Sequence, residues 1–357
     1  MSLAATREQL AKRQKEADDA SAQFDFERTG GSLATFWRQS TPGTTYWRGV
    51  IPMLKLPGQV LPLNDDFLEQ HEGTAVWQFL GDVGRSQIAL HLKGTGVKTI
   101  MEVDDNYLRH APLLYGKYGA WQKTHADAVK YGNGYSVEMH RNLVPMMDGI
   151  ICATDALAEE YAGWNDNVHV CRNSVLPEDW APVERVESDV LRIGYYGSVS
   201  HIRDFPRVKK ALKWAARQPN VEVVMVGFQP AGWSGKHYPW VDTLFGARHY
   251  LGELDVGVAP LTRNLWADGK SDVKALEYAM AGVLPIVEDA PPYHPWTSEL
   301  GWRWKADSPE AWDAIIREVV SERDHVKAEA AKAKDYVLQN RTIDHEIHKW
   351  REAVANG

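Results

Sequence analysis

Short apolar strands alternate with helices along this chain, and the alternation starts afresh near residue 190. That double run restricts the fold more than any single motif does. Strands are expected over Leu33–Arg38, Thr74–Leu80, Val97–Val103, Gly149–Ala153 and Val168–Cys171, with helices over Tyr46–Leu56, Arg85–Gly94 and from Thr154 or Asp155 to Tyr161. Ser40–Thr44 reads as a turn. The Pro- and acid-rich stretch Leu176–Asp189 reads as a linker. The pattern then resumes with strands over Leu191–Tyr196, Val221–Val226, Leu254–Ala259 and Leu284–Val287, and with helices over Phe205–Gln218, Pro309–Arg323, Val326–Gln339 and Thr342–Val354. Strand–helix alternation implies parallel sheets with crossover connections. The expected class is therefore α/β, two Rossmann-like doubly wound domains with a ligand cleft between them at the carboxyl ends of the strands. A length of 357 residues suits two cores. The expected division is a polar N-terminal arm over 1–30, one domain over 31–175, a linker over 176–190, a second domain over 191–340 and a last helix over 341–357.

Composition removes several function classes. The net charge is −8 and neither half carries a basic excess, which disfavours a nucleic-acid partner without excluding a local basic groove. No apolar run reaches membrane-spanning length, and the first 22 residues are polar and charged, so neither an anchor nor a signal peptide is expected. Two cysteines, Cys152 and Cys171, are too few for a disulfide scaffold or a zinc site, in keeping with a reducing cytoplasm. Fifteen Trp suit either aromatic cores or sugar-stacking surfaces.

The stretch from Leu265 to Val287 carries the most chemistry. It reads as a loop with a cation, a helix start, a helix and a Gly-terminated turn into a strand. Ser271 or Asp272 can cap the helix, whose first amides and positive dipole end suit an anion. Lys270 stands just before that end. Glu277 lies about one and a half turns in, within reach of ribose hydroxyls on a nucleotide whose phosphates meet the helix start. The plainer reading is an ordinary helix with a surface Lys and Glu.

Four segments taken together resemble the GT-B glycosyltransferases, the large retaining group that uses nucleotide sugars. They are Asp148–Tyr161, Val168–Pro182 with Asn173 after a short strand, Arg192–His201 with Asp204, and Asp255–Pro285. The resemblance implies GT-B architecture, metal-independent transfer with retention and no cofactor beyond the donor substrate. It also implies a last helix that packs back on the first domain. Donor contacts would come from Gly197, Ser198, His201, Lys270, Ser271, Asp272 and Glu277. Two departures stand out. The group often carries two glutamates eight residues apart, and here Gly269 occupies the first position while Glu277 is the second. An Arg and a Lys commonly follow the first nucleotide-domain strand; here that loop offers Ser198, His201 and Arg203.

In the first domain, Glu102-Val103-Asp104-Asp105-Asn106 occupies the place where many relatives end a strand beside the reacting sugar. Asp104 and Asp105 are catalytic candidates with Lys270, orienting the acceptor or stabilising charge on the sugar. An Asp-X-Asp metal motif and a solvated strand end with an Asp cap are the rival readings. Arg48 and Asp82 are candidates for the acceptor side, although a surface Arg and an Asp82–Arg85 ion pair explain them as well. The reading is a transferase that moves a sugar from a nucleotide diphosphate sugar to a hydroxyl. A similarity to bacteriophage enzymes suggests a virion protein or a hydroxymethylated DNA base as acceptor, with polysaccharide as a third option. The alternatives are a nucleotide-sugar epimerase and a non-catalytic nucleotide-sugar binding protein.

Overall fold

The computed structural model describes residues 31–38, 42–62, 70–109, 121–122, 126, 135–180, 188–198, 201–233, 235–239 and 246–356. The polar arm expected over 1–30, residues 181–187 of the expected linker, and Val199 and Ser200 lie outside them. The described chain forms two compact units. The N-terminal unit runs to Ser174 and also takes in Asn264–Ser271 and the chain from Ile343; the C-terminal unit comprises Val175–Arg263 and Asp272–Thr342.

In the N-terminal unit the elements in order are β1 (Ala34–Arg38), α1 (Pro42–Thr45), a π-helical turn (Tyr46–Val50), α2 (Ile51–Lys55), β2 (Gln59–Pro62), β3 (Thr74–Gln78), α3 (Val83–Gly94) and β4 (Thr99–Val103). A two-stranded pair, β5 (Trp121–Gln122) and β6 (Tyr135–Ser136), is followed by α4 (Val137–Leu143), β7 (Gly149–Cys152), α5 (Asp155–Tyr161) and β8 (Val168–Val170). The main sheet is parallel throughout, in the order β2-β1-β3-β4-β7-β8. All five residues of β4 and all four of β7 are buried, as expected of strands covered on both faces. Two local expectations need correction. Of the turn expected over Ser40–Thr44, Ser40 and Thr41 lie outside the described residues, and helix runs from Pro42, because proline is tolerated in a first helical turn, where no N–H is needed. Strand β2 was not anticipated: Pro57 and Pro62 obscure it, yet an edge strand tolerates proline. The last helix of the chain, Ile343–Asn356, packs against α2 and β8 of this unit, and Lys98 Nζ donates to the carbonyls of Val354 and Ala355 at its end.

The C-terminal unit contains β9 (Leu191–Gly197), α6 (Pro206–Ala215), β10 (Val221–Gly227), β11 (Lys236–Pro239), α7 (Gly246–Leu251), β12 (Val256–Ala259), α8 (Val273–Met280) and β13 (Leu284–Glu288). It closes with α9 (His294–Glu299), β14 (Lys305–Ala306), α10 (Pro309–Ser321) and α11 (Asp324–Asn340). Its sheet is parallel in the order β11-β10-β9-β12-β13-β14. Strand order therefore reverses between β9 and β12. At such a switch point the flanking connections leave on opposite faces, opening a crevice at the carboxyl ends of the strands. Five Trp side chains, Trp180, Trp296, Trp302, Trp304 and Trp312, are buried among the described residues of this unit, so much of the Trp content serves packing. Among the described residues no helix is long and apolar enough to cross a membrane.

Candidate functional site

The switch point of the C-terminal unit gathers the chemistry. Strand β9 ends at Gly197 and β12 at Ala259, and α8 is held over this edge by Tyr278. Gly257 makes that approach possible, since a Cβ there would lie 2.4 Å from the Tyr278 ring. The Tyr278 hydroxyl accepts from the Tyr196 amide at 3.1 Å and donates to the Val258 carbonyl at 3.3 Å, tying α8 to both strands. Gly282, at φ 70°, ends the helix, and the Val283 amide turns back to the Tyr278 carbonyl.

Helix α8 presents Lys274 and Glu277, three residues apart and so on one face. Glu277 is only 9% exposed, yet its carboxylate makes no hydrogen bond with any described residue. Burial pushes its pKa up to about 7, against the pull of Arg248 and Lys274. Sequence reasoning missed Arg248. It sits on α7, buried, with its guanidinium 4.1 Å from the Trp180 ring centroid and Nη1 donating to the Asp179 carbonyl at 3.1 Å. Lys274 was missed as well. Its Nζ lies 5.6 Å from the Tyr195 ring centroid and 3.3 Å from where a Cβ on Gly197 would stand. The one available signal was Lys at three residues before Glu277 on a helix.

His201 and Ser198 lie in the turn after β9, where the His201 amide donates to the Ser198 carbonyl at 3.1 Å. The His201 imidazole is 2.7 Å from the Asp204 carboxylate, which also accepts from the Thr262 amide at 2.8 Å. Burial acts to raise the Asp204 pKa, but His201, the Thr262 N–H and Lys274 together bring it below its ordinary value. Asp272 stands at the N-cap position of α8 but makes no side-chain cap. Its carboxylate accepts instead from Arg341 at 2.6 and 3.1 Å and from Trp296 Nε1 at 2.9 Å. A buried acid at a helix start needs its own counter-charge, and Arg341 supplies it. The backbone start of α8 is left without a side-chain cap.

Lys270 and Ser271 belong to the N-terminal unit. Lys270 Nζ is 3.3 Å from Asp105 Oδ1. Burial raises Asp105 to about 6 against the pull of Lys270, with the neighbouring Asp104 adding to the rise. Asp104 accepts from the Tyr107 hydroxyl at 2.7 Å. The loop bearing Lys270 is docked on this strand end. Asn106 Nδ2 donates to the Leu265 carbonyl at 3.0 Å, Thr154 Oγ1 to the Gly269 carbonyl at 3.3 Å, and the Tyr107 and Trp266 rings stand 5.7 Å apart. The departure at Gly269 has a steric reason. A Cβ there would lie 2.9 Å from Leu157 Cδ2 and 3.0 Å from Asn106 Cβ, so a side chain at this position requires its neighbours to shift. Ser271 is half-buried and makes no side-chain hydrogen bond with a described residue.

The two acceptor-side candidates, Arg48 and Asp82, have partners within the N-terminal unit. Arg48 is 1% exposed: its Nε donates to Glu102 Oε1 at 2.5 Å, its Nη1 to the Cys171 carbonyl at 2.6 Å and to Asn173 Oδ1 at 3.2 Å, and it stacks 5.0 Å from the Trp350 ring. It is a core cation that joins β4, the segment after β8 and the last helix. Asp82 caps α3, accepting from the Arg85 amide at 2.9 Å. Arg85 is itself buried and spends its guanidinium on the Phe79, Gln78 and Trp37 carbonyls.

No family model and no curated protein sequence matches this chain. Its structure is nevertheless similar to that of Anabaena HepE in complex with UDP and glucose, with a TM-score of 0.61 at 11% identity, covering 91% of this chain and 100% of that one. HepE in complex with UDP-glucose gives 0.58 over the same shares, again at 11% identity. Trehalose-6-phosphate synthase OtsA gives 0.56 at 10% identity, covering 82% of this chain and 74% of that one. TarM of S. aureus gives 0.54 at 10% identity, covering 79% of this chain and 55% of that one. The fold is that of the GT-B glycosyltransferases.

Proposed function

We propose that this protein is a glycosyltransferase that takes its sugar from a nucleotide diphosphate sugar and transfers it to a hydroxyl acceptor with retention. The observation that carries the reading is Glu277: a carboxylate buried at the switch point, on a helix pinned to both central strands, with no hydrogen-bond partner in the described protein. A carboxylate at this place that makes no hydrogen bond with a described residue has its acceptor oxygens open to a ligand that donates to them. Two adjacent ribose hydroxyls provide the donors that a carboxylate accepts. The turn at Gly197–Ser198 and the uncapped start of α8 would receive the diphosphate. In the transfer, the bond between the anomeric carbon and the β-phosphate oxygen breaks with its electron pair going to that oxygen. The acceptor oxygen bonds to the anomeric carbon, and its proton passes to the departing diphosphate. Catalysis then rests chiefly on stabilising the charge that develops on the leaving group.

A non-catalytic nucleotide-sugar binder is the second reading, favoured by the glycine at position 269 where the resembling group often carries its first glutamate. One experiment addresses both. The purified protein is titrated calorimetrically with UDP, GDP, ADP, CDP and dTDP and with their glucose conjugates, UDP-glucose first because the HepE complexes hold UDP and UDP-glucose. We expect selective binding by one base that survives EDTA, with release of the nucleoside diphosphate on incubation with sugar donor. Binding without hydrolysis or transfer to virion protein, hydroxymethylated DNA or polysaccharide would favour the binder. Loss of binding in EDTA would overturn metal independence, and no binding by any nucleotide would overturn the donor site.

A further inference from the structure

We infer that Arg341 is a positioning residue of the donor site: it neutralises Asp272 and draws that carboxylate off the start of α8, so that the helix start can take the donor diphosphate. The inference rests on the proposed donor site and names the residue that keeps its phosphate end open to an anion. An acid at the N-cap position of a helix ordinarily turns its carboxylate onto the first-turn amides. Elsewhere in this chain Asp82, Ser136, Thr154 and Ser308 cap in this way, each accepting from the amide three residues on. Asp272 stands at the same position on α8 and makes no such bond. Its Oδ2 accepts from Arg341 Nη1 at 2.6 Å and from Trp296 Nε1 at 2.9 Å, and its Oδ1 accepts from Arg341 Nη2 at 3.1 Å.

The fold brings this partner from 69 residues away. Helix α11 packs against α8, and Arg341 follows its last residue. The Arg341 amide donates to the Val337 carbonyl at 2.8 Å, and the Arg341 carbonyl accepts from the Val175 amide at 2.8 Å, so the backbone at Arg341 is held on both sides. Asp272, Trp296 and Arg341 are all buried, and a guanidinium that meets both oxygens of a carboxylate is the strong form of such a pair. Electrostatics gives the pair its consequence for a ligand. At the positive end of a helix dipole, a carboxylate and a phosphate compete for the same field and the same amides. Trp296 can satisfy an oxygen of Asp272 but cannot cancel its charge. Arg341 does both, and α8 presents a start with neither a side-chain cap nor an uncompensated acid.

The test compares affinities for the nucleoside diphosphate that wild type prefers, UDP in the first instance, and for the matching nucleoside. Arg341→Met leaves the acid uncompensated and should weaken diphosphate binding about 3- to 30-fold, with nucleoside affinity unchanged. Adding Asp272→Ala removes both charges and should return diphosphate affinity to within about twofold of wild type. Equal losses for nucleoside and diphosphate in Arg341→Met, or a double variant as weak as the single one, would mark a purely structural pair and overturn the inference. Unchanged diphosphate affinity in Arg341→Met would overturn it as well. Should Arg341→Met fail to fold, Asp272→Asn decides: it removes the acid and keeps the guanidinium, so diphosphate binding should tighten while nucleoside binding stays as it was. No tightening there would overturn the inference. Wild type that binds no nucleoside diphosphate would overturn the proposed function itself, a result separable from any of these.

Discussion

Glu277→Gln should weaken donor binding and turnover while making the empty protein more stable above pH 7. The two effects have one cause. Burial raises the Glu277 pKa from 4.5 to about 7, so the folded state holds this proton more tightly than the unfolded state does. Stability from this group is fully present below pH 4.5 and is lost as pH rises through 7. A shift of that size is worth about 3 kcal/mol at pH 8, the free-energy cost of an ionised carboxylate kept for a ligand. The glutamine stays neutral at every pH. Its melting temperature should therefore match that of wild type at pH 5 and exceed it by several degrees at pH 8. Differential scanning calorimetry at the two pH values checks this, and calorimetric titration with the preferred nucleoside diphosphate checks the loss of affinity, about tenfold or more. A variant that is no more stable at pH 8 but binds normally would remove Glu277 from the site.

The second large effect is expected in the N-terminal unit. Arg48→Met leaves Glu102 fully buried without its guanidinium partner and should destabilise by about 3–5 kcal/mol. Burial already raises Glu102 to about 8, against Arg48. Without Arg48 the folded carboxyl moves further up, so the loss should be smallest at pH 5 and should grow as pH rises through 8. Adding Glu102→Leu to Arg48→Met removes the uncompensated acid and should recover most of the stability. Urea unfolding at pH 5, 7 and 9 measures all three proteins. A single variant as stable as wild type at pH 9 would show that the pair contributes nothing to this core.

These two residues also illustrate what could be read along the chain and what could not. Glu277 was legible because helix periodicity and a flanking Gly-terminated strand place it at a known depth in a known element. Arg48 was not. Its neighbours Tyr46 and Trp47 suggested a helix, but an arginine in a short helix is ordinarily solvated, and nothing local announces that Glu102, Cys171, Asn173 and Trp350 converge on it from 54 to more than 300 residues away. Asp272 shows the same limit. A carboxylate at the start of a helix reads as a cap or an anion-site neighbour, and only the position of Arg341, 69 residues on, turns it inward.

The sequence by itself determined the class of the fold: alternating buried strands and helices, twice over, admit few arrangements other than two parallel sheets with crossover helices, and those are present. It also determined that α8 ends at Gly282, because a glycine turn acts within a few residues, while its start was left open between Ser271 and Asp272. The tertiary structure decided the electrostatics. Whether Lys270 meets Asp105, what stands against Gly269 and whether Glu277 finds a hydrogen-bond partner among the described residues all depend on groups far apart in sequence. Periodicity reports which face of an element is buried. The partner that a buried charge meets, and with it the pKa and the chemistry, is set by packing between elements.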